Sequence, residues 1–133
     1  MTSYYKKLDE LKVKLFRLHF LLTEEQTEQA IADGVEQFQI CFSQAMECLD
    51  FFIETEYKQK AESNDHLLQL SLEHKLFNQS MIDSMKKMLA DYDLVQKGKN
   101  IEKIYPVIKE SYARYLQMVL DMLTHMGEEA EEE

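Results

Sequence analysis

The chain has 133 residues, enough for one ordinary domain around a continuous core and too few for two full-sized ones. Three glycines and one proline cannot supply the turns of an all-β fold, and no apolar run approaches the ~20 residues that cross a bilayer. Of the formal charge of −10, half sits on Glu128, Glu129, Glu131, Glu132 and Glu133, and the lysines of the first segment are interleaved with Asp9 and Glu10, so nucleic acid is not an expected partner.

From Tyr4 the apolar residues Leu8, Leu11, Leu15, Leu18 and Leu22 alternate steps of four and three, which predicts a first helix over residues 3–22. No apolar stretch of signal-peptide type precedes it, and the expected location is the cytoplasm. Thr23 to Thr27 supply capping residues and acidic charge, so a second helix starts between Glu24 and Glu28. Its periodicity is the clearest in the chain: Ile31, Val35, Phe38, Phe42, Ala45, Leu49 and Phe52 repeat the same step over three heptads. The stripe is widened by Cys41, Met46, Cys48, Phe51 and Ile53, which suits a central helix touched by several neighbours. Gly34 within it marks a close helix crossing or a tolerated weak spot.

Glu56 to Asp65 is polar and reads as a loop, with Ser63 to Asp65 as capping types. A shorter helix carries Leu67, Leu68, Leu70, Leu72 and Leu76, and a fourth carries Met81, Ile82, Met85, Met88, Leu89 and Tyr92. Asp93 to Asn100, with Gly98, reads as a second main loop, and Asn100 is placed to cap the next helix. The last helix steps through Ile108, Tyr112, Tyr115, Val119, Met122 and Met126 and is expected to stop at Gly127; it starts near Lys103 or kinks at Pro106. The fold predicted is all-α, an up-and-down helical bundle of four to five helices spanning residues 1–127, with residues 128–133 as an acidic, disordered tail. Val13, Phe16, Phe20 and Phe51 lie off the core stripes, which implies a homodimer.

Chemistry is sparse. None of His19, His66, His74 and His125 follows a glutamate by three residues, so the paired Glu-x-x-His motif of di-metal bundles is missing, as are His-x-x-x-His and Cys-x-x-Cys. No metal or cofactor is expected. Cys41 and Cys48, seven residues apart on one helix, are about 10 Å apart along its axis, too far for a disulfide, and read as buried free thiols. The methionines Met81, Met85, Met88, Met118, Met122 and Met126 read as core filling, with an adaptable binding groove as the alternative.

Asp33-Gly34-Val35 followed by Phe38, Phe42, Ala45, Leu49 and Phe52, together with Ile104-Tyr105-Pro106 and the periodicity from Ile108 to Leu123, resembles the nucleotidyltransferase substrate-binding family, a branch of the HEPN superfamily, over about residues 5–125. The resemblance implies a small helical protein that presents substrate to, or restrains, a separate nucleotidyltransferase, with a nucleotide among its ligands and a place in toxin–antitoxin-like pairs. Many HEPN proteins carry an Arg and a His at the end of the fourth helix that cut RNA. Here the corresponding string is Asp91-Tyr92-Asp93-Leu94-Val95-Gln96-Lys97-Gly98-Lys99, in which Tyr92 stands for the Arg and Lys97 for the His. An ammonium of ordinary pKa is no base near neutrality, so the ribonuclease activity is not carried over.

The expectation is therefore a non-catalytic, dimeric binding subunit, with Asp91, Tyr92, Gln96, Lys97 and Lys99 as candidates for contact with a ligand or partner. Two alternatives stand beside it. A HEPN-type ribonuclease toxin with an altered site would lose RNA cleavage on Tyr92→Ala or Lys97→Ala. A structural or regulatory adaptor would hold a partner helix on its methionine-rich surface, around Met85 and Met122.

Overall fold

The computed structural model describes residues 2–132; Met1 and Glu133, and the share of the expectations for the two chain ends that falls on them, lie outside that range. Helix α1, Thr2–Leu22, turns through a short loop into α2, Glu28–Tyr57. Thr27 starts α2 by accepting the Ala30 N–H on its Oγ1 at 3.1 Å, which satisfies one of the free donors of a helix N-terminus. Ser63 does the same for α3, Asn64–Glu73, through the His66 N–H, and Asn78 for α4, Gln79–Gln96, through the Met81 N–H.

The last helical run has three parts. Helix α5, Ile101–Val107, passes into a π-helical turn, Ile108–Tyr112, and then into α6, Ala113–Glu132. Pro106 has no N–H to return to the carbonyl four residues back. Just beyond it the ladder slips by one residue, so that the Ala113 N–H donates to Ile108 O, five positions back. Among the described residues all regular structure is helical, and no helix is long and apolar enough to cross a membrane.

The chain runs up and down. Gln37 and Gln44 of α2 donate through Nε2 to the backbone oxygens of Lys14 and Lys7 at 2.9 and 3.2 Å, so α1 and α2 are antiparallel and held in one register. Tyr92 lies on Phe42 and Gln96 Nε2 donates to Gln39 Oε1, which sets α4 antiparallel to α2. Tyr4 Oη donates to Leu123 O at 2.5 Å, joining the start of α1 to the far part of α6. Helix α2 packs against α1, α3, α4, α5 and α6 and is the central helix its sequence predicts. Its stripe from Val35 to Phe52 is buried, as is the whole Tyr4-to-Leu22 stripe of α1.

Several boundaries differ from the sequence reading. The segment Asp93–Gln96, expected in a loop, continues α4 because Leu94 and Val95 pack onto the core, leaving only residues 97–100 as a link. Asn100 starts α5 with its main-chain oxygen, which accepts from Lys103 and Ile104, in a left-handed conformation (φ 59°) and with no side-chain cap. Helix α6 does not stop at Gly127 but runs on to Glu132, so the described part of the acidic tail is helical rather than disordered. Ala130 packs partly against the core, His125 pairs with Glu129 at 3.0 Å, and glutamate is a good helix former. The π turn rotates the helix that follows, so Leu116, Leu120 and Leu123 share the core stripe with Val119 and Met126, while Tyr115 and Met122 are only half-buried. Phe51 is also covered, stacked on Tyr4 and lying under the Lys7 ammonium.

Gly34 is the close crossing. A Cβ there would stand 2.8 Å from Cε1 of Tyr105, whose ring is buried against α2 with an unpartnered hydroxyl. Gly34→Ala should therefore destabilise the protein by about 1–3 kcal/mol through overpacking, despite the better helix propensity of alanine. Tyr105→Phe should be neutral or stabilising, because it removes a buried hydroxyl that bonds to nothing. Urea denaturation of both variants checks the pair, and a Gly34→Ala protein more stable than the parent would mean that Tyr105 moves aside freely.

Candidate functional site

The outward face of α2 carries Glu36, Gln39, Ser43, Glu47 and Asp50 at helical spacing, a polar stripe on the opposite side from its core residues. Helix α4 and the start of α3 stand beside this stripe and turn it into a groove. One part, about 500 Å³, is floored by Phe42, Met46 and Leu67 and edged by Glu47, Asp50 and Glu62. The other, about 410 Å³, lies between Lys14, Glu36, Gln39 and Gln96. Ser43, Glu47 and Tyr92 line both, so the two parts meet at Tyr92.

Tyr92 is half-buried, its ring centroid 5.0 Å from that of Phe42 at an interplanar angle of 40°. Phe42 therefore fixes the ring at the wall of the groove. Around it the charge is mostly negative. Of the nearby cations, Lys14 Nζ is engaged by Gln44 Oε1 at 2.8 Å and Lys7 Nζ by Glu47 Oε1 at 2.9 Å. Asp50 has one carboxylate oxygen buried without a hydrogen-bond partner, and its pKa is raised by desolvation and by the neighbouring Glu54. Aromatic ring, carboxylates and partly apolar floor together suit a cationic group better than a phosphate.

The five residues singled out by sequence divide. Tyr92 and Gln96 line the groove. Asp91 faces elsewhere: it accepts a short hydrogen bond from the Tyr112 hydroxyl, at the end of the π turn, and so ties α4 to the last helical run. Lys97 and Lys99 are exposed on the link after α4 and do not converge with the others. The pairing of Tyr112 with Asp91 joins residues 21 positions apart, a tertiary contact that neither residue's local sequence announces. The α2 stripe itself is open to the same spacing argument that finds the core, applied to polar residues.

The other chemical candidates are accounted for by packing. Cys41 and Cys48 are free and buried, and burial pushes their thiols up to about 12 and about 11. Met81, Met85, Met88 and Met126 are in the core, with Met118 exposed and Met122 half-buried, so they form no continuous groove. His74 stacks on Tyr57 with centroids 3.7 Å apart, and His66 Nδ1 accepts the Glu62 N–H at 3.0 Å. Among the described residues no three His, Cys, Asp or Glu side chains cluster in a way that could hold a metal ion.

No family model and no curated protein matches the chain. It is similar in structure to a Thermus thermophilus protein whose crystal structure was solved as ttk003001694, with a TM-score of 0.75 and 19% identity over 85% of this chain and 98% of that one. At that identity the likeness shows a shared helical fold.

Proposed function

We propose that the chain is a non-catalytic helical binding subunit, which uses the groove along α2 to hold a basic segment of a separate protein. The observation that carries this reading is the position of Tyr92, set against Phe42 where the two parts of the groove meet and flanked by Glu47. A lysine or arginine laid there would meet the π face of the ring and a carboxylate in the same step. The resemblance to nucleotidyltransferase substrate-binding proteins supplies the class of partner, a small nucleotidyltransferase. The groove's charge favours that protein over its nucleotide.

Titration calorimetry against a small nucleotidyltransferase from the same organism tests the proposal. Association at micromolar concentration is expected, weakened at least about tenfold by Tyr92→Ala or Glu47→Lys. Absence of association, or full affinity in both variants, would overturn it. Heat on titration with ATP alone, lost on changing Lys97 and Lys99 to alanine, would instead assign the ligand as a nucleotide.

A further inference from the structure

Four aromatic rings lead from the π turn to the groove. Tyr112, the last residue of that turn and fully buried, stacks on Phe38 with centroids 5.4 Å apart and planes at 21°. Phe38 meets Phe42 at 6.1 Å, and Phe42 meets Tyr92 at 5.0 Å, on the groove wall. The Tyr112 hydroxyl also reaches the end of α4 directly, by donating to Oδ2 of Asp91, the residue before Tyr92. Tyr112, Phe38, Phe42, Tyr92 and Asp91 therefore form a closed circuit through α2, α4 and the π turn. Single π-helical turns within α-helices are frequent at functional sites, and this one is tied by a side chain to the residue beside the groove's aromatic ring.

We infer that Asp91 and Tyr112 are positioning residues for Tyr92: they fix how α4 is rotated about its own axis, and so hold the Tyr92 ring at the groove wall. Neighbouring residues on a helix point about 100° apart, so Asp91 and Tyr92 anchor α4 on two different sides. The contact of Tyr92 with Phe42 is apolar and non-directional, and alone it would let α4 roll or slide on α2. A hydrogen bond to a carboxylate is directional and stronger than one between neutral groups. With both anchors in place, rotation of α4 breaks one or the other. Leu94 and Val95 bury the next turn through apolar contact, and the bond from Gln96 to Gln39 is open to water. Asp91 lines neither part of the groove, so it acts on the occupant only through the ring next to it.

Carbon-13 spectra of the tyrosine rings in the full chain test the inference with no partner present. The Tyr92 signal, identified by its loss in Tyr92→Phe, should move in Tyr112→Phe, which keeps the ring on Phe38, and in Asp91→Ala. It should stay in Asp91→Asn, whose amide oxygen still accepts, and in Tyr4→Phe, which removes a hydrogen bond between α1 and α6 instead. Circular dichroism checks that each variant is folded. A binding arm rests on the docking reading above: titrated with the nucleotidyltransferase, Tyr112→Phe and Asp91→Ala should bind about tenfold more weakly, with Asp91→Asn and Tyr4→Phe close to the parent. An unmoved Tyr92 signal in both Tyr112→Phe and Asp91→Ala, full affinity despite a moved signal, or an equal loss in Tyr4→Phe would overturn the inference. If the parent does not associate at all, the docking reading falls, and the spectra alone decide whether Asp91 and Tyr112 place the ring.

Discussion

Replacing Tyr4 by alanine is expected to lower the unfolding free energy by about 3–5 kcal/mol, the range for deleting a buried aromatic ring. Tyr4 has no exposed surface although it stands near the start of the chain. Its ring lies 5.4 Å from that of Phe52 and 6.4 Å from that of Phe51, and its hydroxyl donates to Leu123 O. A Cβ at Gly127 would meet the ring at 2.8 Å, so Gly127 serves as the flat place on α6 where Tyr4 lies. One side chain therefore closes the bundle between its first and last helices. Tyr4→Phe keeps the ring and loses only the hydrogen bond, about 0.5–1.5 kcal/mol, because Leu123 O remains inside a helix. Urea denaturation followed by circular dichroism separates the two variants. Equal losses would show that the hydroxyl rather than the ring closes the structure.

The second large effect is a steep loss of stability between about pH 9 and pH 12. Four acids that are neutral when protonated are held in that form by the fold. Burial raises Cys41 from 9.0 to about 12 and Cys48 from 9.0 to about 11. It also raises Tyr4 and Tyr112 well above the ordinary tyrosine value, with the Asp91 carboxylate adding to the rise at Tyr112. Below pH 9 these groups are protonated in the folded and unfolded chains alike, and their contribution is fully present. As pH rises past 9 the unfolded chain releases protons that the folded chain keeps, so unfolding becomes more favourable until the folded groups also ionise. A tenfold difference in acidity between the folded and unfolded chains is worth about 1.4 kcal/mol, so the thiols alone account for several kcal/mol. Thermal melts across that range should fall steeply, and Cys41→Ala with Cys48→Ala should flatten the first part of the fall. A melting temperature constant to pH 11 would contradict the burial of both thiols.

Most of the helical framework is legible in the sequence because each long helix writes its buried face at regular spacing. The stripes of α1 and α2 are where the four-three steps put them, and Thr27 and Ser63 cap helices as their chemistry predicts. Two of the differences share a cause. Local propensity speaks for a helix end at Gly127, a side-chain cap at Asn100 and a loop after Tyr92. Gly127 and the run after Tyr92 are decided instead by contacts distant in sequence: Tyr4 on Gly127, and Leu94 and Val95 on the core. The π turn belongs to the same class, since Pro106 announces a fault in the helix without saying how the next turns rotate. For the groove, the sequence reaches Tyr92 and Gln96 through a motif position but not Ser43, Glu47 and Asp50. Those three are ordinary surface residues of α2 until α3 and α4 stand beside them.

The groove as a docking site for a basic protein segment is tested most directly by hydrogen–deuterium exchange of the chain with and without the nucleotidyltransferase. The account predicts slowed exchange at the end of α4 around Tyr92 to Gln96, at the link from Lys58 to Ser63 and at the start of α3, with α6, which lines neither part of the groove, unchanged. Protection confined to other surfaces, or none at a concentration where the two proteins associate, would contradict it.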